Sequence, residues 1–153
     1  IYYQEASLIL NEADKQAYDA MFFGCDGLDG LLSVEGFDTA LAEGVMLLTP
    51  FVADEDKELT KNFVAAYEEQ FGGVPNQFGA DAYDGMYAIK AAAEKAGLTP
   101  DMSISDMCEA MKTAMTEITI DGLTGEGITW TAEGEPSKAP KAMVIKDGAY
   151  TAM

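Results

Sequence analysis

The sequence predicts an α/β fold built on a parallel sheet. Short apolar runs ended by glycine or Thr-Pro alternate with helical patterns through the first half, as in strand–helix–strand units. Three longer helical patterns follow, and the last part of the chain looks extended. With 153 residues, of which 48% are hydrophobic, the chain is large enough and apolar enough to bury a core.

The first half supplies the predicted parallel strands. A helix is predicted over residues 5–17, followed by a buried strand over 20–23 and a weaker helix over 36–42. A second buried strand is predicted over residues 45–48. The helix over 5–17 is expected to turn one apolar set toward the core: Ala6, Ile9, Leu10, Ala13 and Ala17.

The second half is predicted to be helical and then extended. Helices are expected over 57–71, 78–96 and 103–116, the first two stopped by glycine and the third capped by Ser103 with Asp106. The second is expected to bury one apolar face: Ala82, Met86, Ile89, Ala93 and Ala96. The third is expected to bury a methionine stripe: Met107, Met111 and Met115. Extended segments are predicted over 118–120, 128–131 and 142–145, with a hairpin turn at 146–149 and a packed Trp130.

Charge and composition exclude several classes of function. The net charge is −18, all nine basic residues are lysine, and the chain has no histidine, so a basic nucleic-acid face and an imidazole metal or triad site are excluded. The only cysteines, Cys25 and Cys108, lack metal-site spacing and fall on segments expected to lie too far apart for a disulfide. We expect both to be small buried hydrophobes, and we expect no metal site, no cofactor and no catalytic residue.

The loop from Gly24 to Gly30 is the first candidate site because ligands of parallel sheets bind beyond the carboxyl ends of strands. The carboxylates of this loop, Asp26 and Asp29, allow several interpretations. They could bind a cationic group of a ligand, serve as ordinary turn residues, act as the acid–base pair of a hydrolase, or coordinate a divalent ion through their oxygens. Tyr2 and Tyr3 lie at the start of the chain, directly after Ile1. In an extended segment one ring would face a ligand and the other would pack.

Five stretches of the chain, taken in their order and spacing, are specific enough to compare with known families: Tyr2-Tyr3-Gln4-Glu5, Phe23-Gly24-Cys25-Asp26-Gly27, Ala42-Glu43-Gly44-Val45, Gly79-Ala80-Asp81-Ala82-Tyr83-Asp84 and Asp121-Gly122-Leu123-Thr124-Gly125-Glu126-Gly127-Ile128. Through them the chain resembles the periplasmic leucine/isoleucine/valine-binding protein family of ABC transporters, as the second half of a longer chain. The resemblance implies an incomplete type I periplasmic-binding fold. Residues 1–49 and 138–153 would belong to the C-terminal lobe, and residues 50–137 to the N-terminal lobe.

The resemblance also implies a function and site residues. The protein would be the non-enzymatic solute-binding component of an ABC transporter, closing two hinged lobes around a small amino acid, branched-chain by default. Asp26 would take the ligand's α-ammonium group, Tyr2 would face the ligand, and Phe78 would line the side-chain pocket. Asp26 stands where amino-acid binders often have glutamate, and Cys25 where they often have proline or glycine.

Partners and location follow from the same resemblance. We expect an amino acid ligand, a membrane permease, a lipid-anchored parent protein at the cell surface or in the periplasm, and no nucleic acid. Apolar surface left uncovered in this chain would favour dimerisation, and the chain alone would bind amino acids poorly. The alternative is a ligand-sensing domain of a receptor or transcription regulator with the same fold.

Overall fold

The computed structural model describes residues 1–153, which form two compact units. Unit 1 consists of residues 1–55 and 140–153, and unit 2 consists of residues 56–139. The lobe of a larger protein to which each unit belongs stays a prediction.

Unit 1 is built on a four-stranded mixed sheet. Its strands are β1 (Phe23–Gly24), β2 (Met46–Thr49), β3 (Lys141–Lys146) and β4 (Ala149–Ala152), in the order β1-β2-β3-β4. The predicted parallel pairing holds for β1 and β2, whereas β3 and β4 add antiparallel pairs. The β3–β4 hairpin has the predicted turn: Asp147 and Gly148 have φ of 52° and 74°, as a two-residue hairpin loop requires.

Helix α1 (Tyr3–Lys15) and three short 3₁₀ turns complete unit 1. The turns span Asp26–Leu28, Leu31–Ser33 and Thr39–Ala42, and the last replaces the helix expected over 36–42. The core joins the helix, the turns and the sheet through one set of buried side chains: Ala6, Leu10, Leu28, Leu31, Ala42, Val45, Leu47, Met143 and Ile145.

The expectation of a buried first strand is wrong. β1 has only two residues, and the side chains of Met21 and Phe23 are 79% and 62% exposed. The expected inward face of α1 is also partly wrong, because Ile9 is 47% exposed and Ala17 lies beyond the end of the helix. For β1 the physical reason is that it is the edge strand of the sheet, where fewer neighbours cover its side chains.

Unit 2 contains helices α2 (Glu58–Phe71), α3 (Gln77–Ala96) and α4 (Ile104–Met115), close to their predicted bounds. α2 and α3 end at Gly72 and Gly97, whose left-handed φ of 75° and 61° favours glycine. The predicted Ser103 cap of α4 is confirmed, since its Oγ accepts from the Asp106 N–H at 3.1 Å and donates to Asp106 Oδ2 at 2.8 Å.

The core of unit 2 lies between α3 and α4. It is formed by Ala88, Ala92, Ala114 and Ile118, with Met111, Met115 and Trp130 packed against it. This confirms the packed tryptophan and two members of the methionine stripe. The extended segments predicted at 118–120 and 128–131 form only single bridges, Ile120 with Ile128 and Trp130 with Pro136.

The buried face predicted for α3 is only partly right. Ala96 packs against the core of unit 2, but Ala82, Met86 and Ile89 are exposed, the last two by 66% and 54%. The residues that the helix buries are Gln77, Ala80, Asp84, Ala88 and Ala92. α3 is apolar on more than one side, so periodicity alone could not tell which side α4 would cover. α3 therefore presents an exposed apolar stripe.

Asp84 ties α3 to the loop that follows the helices. Its carboxylate is buried and accepts the N–H groups of Leu123 and Thr124, each at 2.8 Å, and the Thr124 hydroxyl at 2.6 Å. Gly122 lies against the same carboxylate, because a Cβ there would come within 2.5 Å of it. The Asp121–Ile128 stretch is thus held by a buried charge with several donors.

Cys25 and Cys108 are both free and both exposed, so the expectation that they are buried is wrong. The structure has no cluster of three or more residues suited to hold a metal ion. None of its helices has both the length and the apolar character needed to cross a membrane.

Candidate functional site

The candidate site lies in unit 1, where the start of the chain meets the loop after β1. Gly27 forms this junction: a Cβ built there would lie 2.5 Å from the Ile1 carbonyl oxygen and 3.7 Å from Tyr2 Cα. Only a residue without a side chain permits such an approach. The structure therefore brings the Tyr2 segment and the Asp26–Gly27 turn together, although they are far apart in sequence.

Tyr2 and Tyr3 have different environments, as the sequence suggested, although the cause is a helix start and not a strand. Tyr2 is the N-cap of α1 with extended backbone angles, and its carbonyl accepts from the Ala6 N–H at 3.0 Å. The Tyr2 ring is 60% exposed, whereas Tyr3 is partly buried against the core of unit 1. The exposed ring of the pair is thus the one predicted to face a ligand.

Asp26 lies at the surface just past the carboxyl end of β1. It begins the 3₁₀ turn Asp26–Leu28, its Oδ1 accepts from the Gly27 N–H at 3.0 Å, and its carbonyl accepts from the Asp29 N–H at 3.0 Å. The exposed carboxylate can meet a cationic group of a small molecule, while the backbone beneath it is fixed by the turn.

Asp29 does not share this environment, because it is only 6% exposed. The reading of Asp26 and Asp29 as one acid–base pair therefore loses its basis: one carboxylate faces solvent and the other faces the interior. Burial, and after it the negative charge of Asp29, raises the pKa of the Tyr150 phenol.

Two contacts below the loop hold it against the core. A Cβ at Gly24 would lie 2.3 Å from Leu28 Cδ1, so the buried Leu28 side chain fills the space directly over the end of β1. At the far end of the loop, the Tyr150 hydroxyl accepts from the N–H groups of Gly30 at 3.1 Å and Leu32 at 3.4 Å. Sequence analysis missed Tyr150, since no local pattern links a residue of the last strand to a loop about 120 positions earlier.

Phe78 belongs to unit 2. It is the second residue of α3, it is 36% exposed, and the preceding Asn76 caps the helix by accepting from the Gly79 N–H at 3.4 Å. Its side chain is available at a helix start, and its role as a pocket wall stays a prediction.

A cavity of about 370 Å³ in unit 1 lies away from this site. Its walls include the residues just before β1 and just before β2, among them Phe22 and Val45, whereas Asp26 follows β1. Because β1 and β2 are parallel, the cavity and Asp26 are at opposite ends of these strands. The cavity is therefore not the predicted ligand site.

Comparison with known proteins identifies a family and a set of similar structures. Residues 4–149 match the family described as "Periplasmic binding protein", whereas the chain matches no curated protein. It is similar to a leucine-binding protein LivK from Thermotoga maritima, at 23% identity and a TM-score of 0.77 over 99% of this chain and 41% of that one.

Two further structures show the same likeness. One is the branched-chain amino acid transporter substrate-binding protein LivJ from Streptococcus pneumoniae in complex with isoleucine, at 24% identity and a TM-score of 0.81 over 99% of this chain and 41% of that one. The other is an ABC transporter solute-binding protein from R. palustris in complex with benzoate, at 17% identity and a TM-score of 0.78 over 97% of this chain and 39% of that one. The chain thus spans about two-fifths of the length of these proteins.

Proposed function

This chain belongs to the periplasmic binding protein family, and we propose that it serves an ABC transporter by recognising the α-ammonium group of a small amino acid through Asp26. The observation that carries the proposal is the exposed Asp26 carboxylate, held past the end of β1 by a turn that abuts Tyr2. A fixed carboxylate binds a cationic group at little reorganisation cost, and such a charged hydrogen bond is worth about 2 kcal/mol.

The type of ligand follows from this charge. A zwitterionic amino acid supplies a cation to offset the desolvation of the Asp26 carboxylate, whereas a neutral sugar supplies no charge once water is excluded. The similar structures described as holding isoleucine and benzoate differ in the presence of an ammonium group. Asp26 favours the amino acid, with a branched side chain as the first candidate.

Tyr2 and Phe78 are proposed to contact the rest of the ligand. Both rings are exposed, and aromatic side chains give large apolar contact areas with few rotatable bonds. The hinged capture that the resemblance implies is part of the same proposal, as are a membrane permease partner, a lipid anchor and a position outside the cytoplasmic membrane. No enzymatic activity is proposed.

Calorimetry tests this proposal on the protein at its full natural length. The ligands are leucine, isoleucine, valine, glycine, benzoate, glucose, and 4-methylpentanoate, which is leucine without its amino group. We expect saturable binding of a branched-chain amino acid and roughly thirtyfold weaker binding in Asp26→Asn, equivalent to about 2 kcal/mol. Asp19→Asn is the matched control, since Asp19 is another exposed carboxylate of unit 1 that precedes β1. The affinity of this variant for the amino acid should stay within about twofold of that of the parent protein.

Binding of glucose or benzoate but of no amino acid would overturn the proposal, as would an Asp26→Asn variant with unchanged affinity.

Replacement of Phe78 by alanine should weaken leucine binding more than glycine binding, because only leucine has a side chain to pack. Phe71→Ala is the control, because Phe71 is a 65% exposed phenylalanine of the same unit. Equal losses for leucine and glycine in Phe78→Ala would remove Phe78 from the site.

We also propose that this chain alone associates through its exposed apolar side chains. They occur in both units, with Met21 and Phe23 beside the β1 edge and Met86 and Ile89 on α3. Contiguous exposed apolar surface favours protein contacts. Light scattering should give a mass above that of the 16.3 kDa monomer at high concentration; a monodisperse monomer would contradict the proposal.

A further inference from the structure

The β3–β4 hairpin places one tyrosine against the loop that contains Asp26. Tyr150 pairs with Ile145 across the hairpin, and Ile145 exchanges backbone hydrogen bonds with the segment before β2, to Val45 and from Gly44, each at 2.9 Å. The tip of the hairpin is also held, because the Asp147 N–H donates to Glu43 Oε1 at 3.0 Å. Tyr150 therefore extends from a well-anchored part of the sheet and packs against the core of unit 1.

The Tyr150 hydroxyl binds two backbone N–H groups where the Gly24–Gly30 loop ends. It accepts from the N–H groups of Gly30 at 3.1 Å and Leu32 at 3.4 Å. Gly30 has a φ of 106°, a conformation that favours glycine and marks the bend into the next 3₁₀ turn. One side-chain oxygen thus accepts from donors on both sides of this bend, so two partly buried N–H groups depend on the same hydroxyl.

A short path of bonds links this anchor to Asp26. Asp29 directly precedes Gly30, and its N–H donates to the Asp26 carbonyl at 3.0 Å. Leu28 donates in the same way to Cys25 at 3.1 Å. A shift of Gly30 would therefore move Asp29 and, through the turn, the Asp26 backbone, whereas the other end of the loop is fixed by the pairing of Gly24 with Leu47.

We propose that Tyr150 is a positioning residue of the ligand site, whose hydroxyl fixes the exit of the Gly24–Gly30 loop and so holds Asp26 in place for the ligand's ammonium group. The inference rests on the proposed function of Asp26. The Tyr150 ring need not touch the ligand, and its effect passes through the backbone of the loop. Since only the hydroxyl oxygen makes these contacts, Tyr150→Phe removes the anchor while keeping the ring in the core.

The first experiment needs no ligand. Amide hydrogen exchange of the full-length protein is compared with that of Tyr150→Phe and of Tyr18→Phe, a control at an exposed tyrosine of unit 1. In Tyr150→Phe the Gly30 and Leu32 amides should exchange about tenfold faster, while the Leu47 amide in β2 keeps its rate. Unchanged exchange at Gly30 and Leu32 would overturn the anchor itself.

The second experiment measures coupling to Asp26 in the full-length protein. Affinity for the preferred amino acid and for its deaminated analogue is measured in Tyr150→Phe, in Asp26→Asn and in the double variant. Tyr150→Phe should weaken amino acid binding about tenfold with little effect on the analogue, and it should add almost nothing once Asp26 is replaced. A loss that is equal for both ligands, or equal with and without Asp26, would indicate a merely structural role and overturn the proposal.

The two experiments separate the possible failures. If Asp26→Asn binds the amino acid as well as the parent protein, the proposed function fails and the ligand-positioning role of Tyr150 fails with it. In that case the exchange rates still decide whether Tyr150 anchors the loop. If Asp26→Asn loses affinity but Tyr150→Phe does not, only the inference about Tyr150 is wrong.

Discussion

The contact between Gly27 and the start of the chain gives the sharpest test of the site geometry. A Cβ at this position would lie 2.5 Å from the Ile1 carbonyl oxygen and 3.5 Å from its carbon, so both close neighbours are backbone atoms that can move only if the Ile1–Tyr2 segment moves with them. Gly27 does not have a positive φ, so alanine meets no conformational barrier there. Gly27→Ala is therefore a purely steric change.

The expected magnitude follows from overpacking. The two segments must separate by about 1 Å to restore an ordinary contact, and such insertions typically cost 1–3 kcal/mol. For a chain of this length each 1 kcal/mol corresponds to roughly 2–4 °C in melting temperature. Since the separation moves Tyr2 away from Asp26, amino acid affinity in the full-length protein should also fall, by about tenfold.

Urea denaturation followed by far-ultraviolet circular dichroism measures the loss of stability, and Trp130 fluorescence reports unit 2 separately. The control is Gly85→Ala, because a Cβ at Gly85 would have no atom within 4 Å and the position lies inside α3. That change should stabilise the protein by up to about 1 kcal/mol through helix propensity. A Gly27→Ala variant as stable as the parent would refute the close approach, and with it the placement of Tyr2 beside Asp26.

Three further predictions concern other parts of the chain. Replacing Asp84 by alanine leaves two buried N–H groups and the Thr124 hydroxyl without their acceptor, so unit 2 should lose about 3 kcal/mol in urea denaturation, whereas an Asp81→Ala control at a less buried carboxylate should lose under 1 kcal/mol. The raised pKa of Tyr150 means that the folded state favours the neutral phenol. The stability that Tyr150 contributes through this shift should be complete below pH 10 and should decline as the pH rises through the pKa of the folded state. Alkaline denaturation of Tyr150→Phe should lack this part of the decline. The double change Met86→Gln and Ile89→Gln should alter the free energy of unfolding by less than about 0.5 kcal/mol per site, because both side chains are exposed, while light scattering shows weaker self-association.

Local signals predicted most elements of the fold. Gly72 and Gly97 end helices where predicted, Ser103 caps the third, and Asp147-Gly148 forms the hairpin turn, because each acts through its own backbone or its nearest neighbours. The parallel pairing of the first two strands was also predicted, from the alternation of strand and helix patterns.

Features that depend on distant parts of the chain were not predictable in this way. Met86, Ile89 and Phe23 are apolar and were expected inside, but which face of an apolar helix is covered depends on its neighbours in space. The same holds for the site: Asp26 and Asp29 look alike in sequence, and only the fold separates an exposed carboxylate from a buried one. The anchor at Tyr150 depends on a strand formed about 120 residues later.

The interruption of unit 1 by unit 2 has a consequence for the order of folding. All of residues 56–139 leave the ribosome before residues 140–153, which supply β3 and β4. Unit 2 can fold on contacts within one continuous segment. Unit 1 cannot complete its sheet until β3 is made, so β2 lacks its antiparallel partner during this time. Pairing β2 with β3 also closes a long loop, and the entropic cost of that closure makes it slower than local pairing. A nascent chain halted once residue 139 has emerged from the ribosome should therefore contain a formed second unit and an open first unit, and the unpaired edge of β2 is the part that chaperones would have to shield.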